Sequence, residues 1–332
     1  MLVIQTSFLG DVVLTTPLLT ELAGRGPVDA LVTPGGAAIL KGHPAVREVI
    51  PFDKRGADRG IGGLLRTARQ LRGREYAAAY LAQGSFRSAA LAWRAHIPVR
   101  VGFADAAGRR LYTARIPNPN NRHHAERLWR LAFAGGPRPE TMPPPSLYPG
   151  PAERAAVDAL LGDDPRPIIA LAPGSVWATK RWPYFEQLAA SLSAYARLAV
   201  VGGPDDVSLG EVIRLRVPGT VIAAGELSLL GSAELIRRAR VIVTNDSSPT
   251  HLASAVGTPT VTIFGPTTPG FGFGPLAPGS RVAQLDAMPC RPCHHHGPRV
   301  CPLGHWKCMV ELAPETVANL VTAEFTPRDR TL

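Results

Sequence analysis

The chain of 332 residues has 45% hydrophobic and 19% charged side chains and a net charge of +10, which fits one large or two ordinary soluble domains and excludes a disordered or collagen-like chain. No apolar run reaches the ~20 residues of a bilayer-spanning helix, and Met1-Leu2-Val3-Ile4-Gln5 lacks the basic n-region of a signal peptide, so a cytoplasmic protein is expected. Residues 1–150 hold 20 basic and 10 acidic side chains, whereas residues 151–332 hold 16 of each; this asymmetry points the first half toward an anionic partner.

In chain order, short β-rich runs alternate with amphipathic stretches. Residues 3–5 read as a strand and 12–23 as a helix. Strands follow at 28–32, 46–50, 77–81 and 99–102, with helices at 61–72 and 87–95. Such alternation predicts a parallel sheet with crossover helices. Within 137–151, Pro139, Pro143, Pro144, Pro145, Pro149 and Pro151 can continue neither helix nor central strand, so this stretch reads as a linker. The alternation then restarts, with strands at 168–172, 198–201, 220–223, 241–244 and 260–264 and helices at 183–194, 227–239 and 249–256. A last helix at 314–325 has no place from pattern alone. Two α/β domains, 1–150 and 151–332, are expected, with ligands in a cleft at their strand C-terminal loops.

Three loops carry candidate chemistry. The first strand runs into Thr6-Ser7-Phe8-Leu9-Gly10-Asp11, where Asp11 reads either as a helix N-cap or as a general base. Ala172-Pro173-Gly174-Ser175 leads to Lys180-Arg181-Trp182-Pro183. This is an anion cradle of backbone N–H groups and two cations before a helix, without the spacing of a Walker A loop. In Asn245-Asp246-Ser247-Ser248-Pro249-Thr250-His251, followed by Gly265-Pro266-Thr267, the hydroxyls suit phosphate oxygens and Asp246 a ribose hydroxyl. The competing reading is a helix capped by Asp246 or Ser247, with His251 on its surface.

With Gly10-Asp11, Gly84-Ser85-Phe86-Arg87-Ser88, Pro173-Gly174, Lys180-Arg181-Trp182-Pro183, Asn245-Asp246-Ser247, His251 and Phe264-Gly265-Pro266-Thr267 in order, the chain resembles the ADP-heptose:lipopolysaccharide heptosyltransferases, glycosyltransferase family 9, more the type II than the type I enzymes. The resemblance implies a GT-B fold of two Rossmann-like, doubly wound domains facing a cleft, the first for acceptor and the second for nucleotide sugar. The last helix is a candidate to cross back to the first domain. It also implies inverting, metal-independent transfer of heptose from ADP-heptose to an anionic inner-core lipopolysaccharide acceptor of the heptosyl-Kdo-lipid A type, with no cofactor.

By the same resemblance Asp11 is the base and Lys180 the catalytic partner of the diphosphate. Gly174, Ser175, Arg181, Asp246, Ser247, Ser248, His251, Gly265, Pro266 and Thr267 join Lys180 around the donor. Gly10, Arg55, Arg59, Ser85 and Arg87 are expected at the acceptor. Ser248 replaces a glycine of the family pattern; a positive φ there would strain it.

An acceptor anchored in the cytoplasmic membrane gives the basic half a use, with peripheral attachment to the inner face. Lys54, Arg55, Arg59, Arg66, Arg69, Arg72 and Arg74 flank a helix whose Ile61, Leu64, Leu65, Ala68 and Leu71 read as one apolar face, suited either to core packing or to acceptor or membrane contact. Cys290, Cys293, Cys301 and Cys308, with four histidines nearby, allow a structural zinc, set against packed reduced thiols. Competing functions are a same-fold transferase using another nucleotide sugar or a protein or other glycan acceptor, and a zinc-stabilised nucleic-acid-binding protein. The latter leaves Asp11, Lys180 and Asp246 without purpose, so no nucleic acid is expected.

Overall fold

The computed structural model describes residues 1–134 and 136–325, and the chain divides into two compact units, Met1–Tyr148 and Pro149–Leu332. In the first, β1 (Leu2–Gln5), β2 (Asp29–Val32), β3 (Glu48–Pro51), β4 (Ala78–Leu81), β5 (Val99–Phe103) and β6 (Ala114–Ile116) form an all-parallel sheet in the order β3-β2-β1-β4-β5-β6. Both faces are covered by helices, which is why consecutive residues Leu2, Val3 and Ile4 are all buried and the strand shows no alternation.

The second unit repeats the plan. β7 (Ile168–Ala172), β8 (Arg197–Val200), β9 (Val221–Ile222), β10 (Val241–Asn245), β11 (Thr260–Ile263) and β12 (Arg281–Ala283) pair in the order β9-β8-β7-β10-β11-β12. Each sheet is a doubly wound sheet whose order reverses beside its first strand, between β1 and β4 and between β7 and β10. Ligands of such sheets bind outside the strand C-termini at this reversal. The loops after these four strands are therefore the ones to inspect.

Several element boundaries differ from expectation for local reasons. The helix expected at 12–23 is two, Leu9–Leu14 and Thr16–Ala23, with Thr15 between them donating its hydroxyl to the Asp11 carbonyl at 2.7 Å. Pro17 falls in the first turn of the second, where its missing N–H costs nothing. Pro151 likewise opens a helix, Pro151–Leu161, entered through Gly150 N–H donating to Glu153 Oε2 at 2.8 Å, so the linker ends before it. β6 and β12 are three-residue edge strands, too short to carry a pattern. The last helix, Pro314–Thr322, buries Val317, Ala318 and Val321 with Leu188, Leu192 and Ile263. Its apolar face completes the core of the second unit. No helix among the described residues is long and apolar enough to cross a membrane.

The segment leaving the first unit is pinned to it. Ser146 donates its N–H to Thr16 Oγ1 at 3.0 Å, its hydroxyl lies 3.3 Å from His43 Nε2, and the His43 ring meets Tyr148 edge-on at 5.0 Å. Burial pushes the His43 pKa down to about 4. An unfolded histidine titrates near 6.5, so the unfolded chain takes up a proton the folded chain refuses, and stability falls as pH drops through 6.5 toward 4. The His43 share of the loss between pH 6.5 and 4.5 is about 2 kcal/mol. Urea unfolding should accordingly give a shallower pH slope for His43→Gln than for the wild type; equal slopes would reject the assignment.

Candidate active site

In the second unit one buried amide joins the two loops at the sheet's reversal. Asn245, the last residue of β10, donates through Nδ2 to the Pro173 carbonyl at 2.8 Å and accepts the Trp182 N–H at 3.1 Å. The loop after β7 is thus tied to the end of β10, and the next residue, Asp246, receives the side chain that loop delivers. Lys180 Nζ donates to Asp246 Oδ2 at 2.6 Å and to the Asp246 carbonyl at 3.1 Å, and Thr267 Oγ1 donates to the same carboxylate oxygen at 2.6 Å. Lys180 and Asp246 are each 8% exposed. Away from water such charge-assisted bonds are strong and hold their groups in one orientation.

Lys180 lies in a single 3-10 turn, Ala178–Lys180, and the following helix begins only at Phe185. The helix expected from residue 183 thus starts two residues later, and the two cations have partners within the protein: Lys180 reaches Asp246 and Arg181 Nε donates to the Ser175 carbonyl at 2.8 Å. Side chains of other segments pack directly over two glycines of the site. A Cβ on Gly174 would lie 2.0 Å from Asp206 Oδ1, and one on Gly265 would lie 2.2 Å from Met309 Sδ.

The helix after β10, Ser248–Val256, has Ser247 as an extended N-cap residue with no side-chain cap. Neither capping candidate caps it: Asp246 is held by Lys180 and Thr267, and the Ser247 hydroxyl turns to the Asn245 carbonyl at 3.3 Å. First-turn N–H groups without a side-chain acceptor suit an anion. Ser248 is not among the residues of positive φ, so the strain expected there is absent. His251 is buried rather than on the helix surface, its ring 6.2 Å from that of Phe273.

In the first unit Asp11 is not the N-cap. That place belongs to Phe8, and Asp11 stands inside the first turn of Leu9–Leu14. Its Oδ1 lies 3.6 Å from Nε2 of His124, beyond hydrogen-bonding distance. Burial pushes the His124 pKa down to about 3, so the imidazole is neutral at pH 7. From the loop after β3, Lys54 Nζ donates to the Thr6 carbonyl at 2.5 Å, and burial lowers its pKa.

Around β4, the Thr6 hydroxyl bonds the Gln83 side chain, which also accepts from Ser88 Oγ at 3.1 Å. Ser85 caps the helix Phe86–Arg94 by accepting the Ser88 N–H at 3.1 Å. Arg87 donates to the carbonyls of Asp58 at 2.5 Å and Gly60 at 3.0 Å. Ser85 and Arg87 are thus engaged in building this edge, Gly10 is buried, and Arg55 and Arg59 are exposed.

The cysteine segment buttresses the loops that carry Lys180 and Thr267. Cys293 N–H donates to the Pro266 carbonyl at 2.9 Å, Arg291 Nη2 to the Thr267 carbonyl at 2.9 Å, and Trp306 Nε1 to the Thr179 carbonyl at 2.9 Å. Gly297, at φ +85°, lies against the Lys180 stem. The zinc set does not assemble: among the described residues no three His, Cys, Asp or Glu side chains gather to hold a metal, and the four thiols are free. Burial pushes the Cys308 thiol up to about 11. His124, Gln83 and Arg291 were outside the sequence-based candidates, because each acts through a contact far along the chain, which leaves no periodic or motif signal; Asn245 stood in a motif and Lys54 in the basic stretch, neither with a role of its own.

The family model of glycosyltransferase family 9 (heptosyltransferase) matches residues 64–306. The chain is 32% identical over 320 residues to lipopolysaccharide heptosyltransferase 1 of Pseudomonas aeruginosa, covering 88% of this chain and 85% of that protein. It is 30% identical over 305 residues to lipopolysaccharide heptosyltransferase 2 of Salmonella typhimurium, covering 86% and 87%. Among solved structures, Escherichia coli ADP-heptose heptosyltransferase II superposes with a TM-score of 0.80 at 26% identity over 97% of each chain. An E. coli heptosyltransferase solved with ADP gives 0.76 at 22% identity, covering 97% of this chain and 99% of that one, which bears on the fold alone.

Proposed function

The chain belongs to glycosyltransferase family 9, the heptosyltransferases, and from that premise we propose that it moves heptose from ADP-heptose, with inversion and without a metal, to an anionic inner-core lipopolysaccharide acceptor of the heptosyl-Kdo-lipid A type at the inner face of the cytoplasmic membrane. The observation that carries this reading is the buried Lys180–Asp246–Thr267 cluster beside a helix N-terminus with no side-chain cap. A diphosphate needs a fixed cation and convergent N–H donors, and this end of the second sheet supplies both.

In the reaction the acceptor oxygen forms its bond to the anomeric carbon on the face opposite the departing ADP, and the bond from that carbon to the phosphate oxygen breaks. The electron pair stays on the diphosphate, where Lys180 and the first-turn N–H groups near Ser248 stabilise it. Gly174, Ser175, Arg181, Ser247, His251, Gly265 and Pro266 shape the surrounding donor pocket. The acceptor's proton passes to the Asp11 carboxylate. Neutral His124 does not compete for that proton, since burial disfavours its charged form. Gly10, Arg55, Arg59, Ser85 and Arg87 form or brace the acceptor edge.

The test is release of ADP and appearance of a heptosylated product when the protein meets ADP-heptose and a truncated core acceptor, run beside UDP-glucose and GDP-mannose. Transfer from ADP-heptose alone is expected. Transfer only from another nucleotide sugar would keep the fold and reject the donor.

A further inference from the structure

The helix Gly60–Arg72 does not bury its apolar residues as one face. Ala68 and Leu71 enter the core with Gly63 and Thr67, whereas Ile61 is 78% and Leu65 42% exposed. Ile61, Leu65 and Arg69 stand one turn apart along the outer side, with Arg72 beyond. The next helix, Phe86–Arg94, packs against this one. It exposes Phe86 at 63% and Trp93 at 47%, and the Arg94 guanidinium lies 5.1 Å from the Trp93 ring centre. The Arg87 bond to the Gly60 carbonyl at 3.0 Å fastens the two helix starts together, so Phe86 and Ile61 belong to one neighbourhood.

Neither helix contains an acidic residue. Arg66 and Arg74 are paired with Asp58 and Glu48. No salt bridge among the described residues engages Arg55, Arg59, Arg69, Arg72 or Arg94. Exposed aliphatic and aromatic side chains ringed by unpaired arginines, with no carboxylate between them, complement one surface chemistry: lipid phosphates over an apolar layer.

We propose that the outer face of these two helices docks on an anionic phospholipid bilayer, with Ile61, Leu65, Phe86 and Trp93 entering the boundary between headgroups and acyl chains and Arg69, Arg72 and Arg94 lying among the phosphates. The inference rests on the reading of the acceptor as lipid-anchored, and it names the surface that meets the lipid. Both helices start at the strand C-terminal edge of their sheet, the edge that carries Asp11. Docking there brings the acceptor edge to the membrane.

Co-sedimentation with phosphatidylglycerol–phosphatidylcholine vesicles, compared with pure phosphatidylcholine vesicles, tests it. The wild type should bind the anionic vesicles, less tightly as salt rises, and the neutral ones at least tenfold more weakly. Arg69→Gln/Arg72→Gln should lose about 25-fold in affinity, about fivefold per arginine. Ile61→Ser/Leu65→Ser/Phe86→Ser should lose about tenfold or more while melting like the wild type, the positions being exposed. Equal binding to neutral vesicles, or variants that bind as the wild type does, overturns the proposal. Retention of duplex RNA as tight as that of anionic vesicles, lost in the same variants, also overturns it and assigns the face to nucleic acid. Transfer to an acyl-free, water-soluble core acceptor should be unchanged in both variants. If the wild type transfers nothing to that acceptor, the proposed reaction fails while the vesicle result stands.

Discussion

Asp11→Asn lowers kcat by about three orders of magnitude while leaving ADP affinity within about twofold. General base catalysis contributes roughly 10²- to 10⁴-fold, and an amide of the same shape cannot take the acceptor proton. Asp11 stands in the first turn of Leu9–Leu14, in the segment that follows the C-terminal end of β1.

His124 Nε2, 3.6 Å from Oδ1, stays neutral at assay pH, so it neither neutralises Asp11 nor substitutes for it. The donor-side cluster lies in the other compact unit, which makes ADP binding, read by calorimetry, an independent report of folding. Retained turnover within about tenfold of wild type would remove Asp11 from the chemistry. Loss of ADP affinity together with turnover would mean that the substitution damaged the fold.

Lys180→Ala is expected to cost about 10²-fold or more in kcat/KM, the scale of losing one preorganised donor to a developing charge. It should also cost about 3 kcal/mol of stability, because the Asp246 carboxylate stays buried with only Thr267 as a side-chain donor. The two effects separate in the pair variant. Lys180→Met/Asp246→Asn removes both charges, so urea unfolding should recover most of the lost stability, while turnover stays low because no cation remains for the diphosphate. An active Lys180→Ala protein would refute the diphosphate role. A double variant as unstable as the single one would mean that the pair's energetics are not electrostatic.

Much of this architecture can be read from one-dimensional pattern. Ten of the twelve strands announce themselves as β-rich runs between helical stretches; β1, β2, β7 and β10 are buried along their whole length, as parallel strands covered on both faces are. The two that escape, β6 and β12, are three-residue edge strands where neighbours rather than propensity decide. Motif order in the loops pointed to the right family, and the family match confirms that reading. The loops left alternatives open on local grounds, and the structure sets some of them aside: Asp11 is not an N-cap, neither Asp246 nor Ser247 caps its helix, His251 is buried, and the helix expected from residue 183 begins at Phe185.

By itself the sequence determined the two-unit α/β plan, the family and the basic excess of the first half. These depend on composition, periodicity and spacing along the chain. Only the tertiary structure decided which side chains share a charge or an edge. Lys180 and Asp246 are 66 residues apart, Asp11 and His124 still further, and Asn245 binds a loop 72 residues away. Periodicity left Ile61 and Leu65 open to core packing or to outside contact; they face outward because Gly63, Thr67, Ala68 and Leu71 take the packed side of the helix. Long-range pairing is set by strand order and by which face a neighbouring element covers, and neither leaves a mark in local sequence.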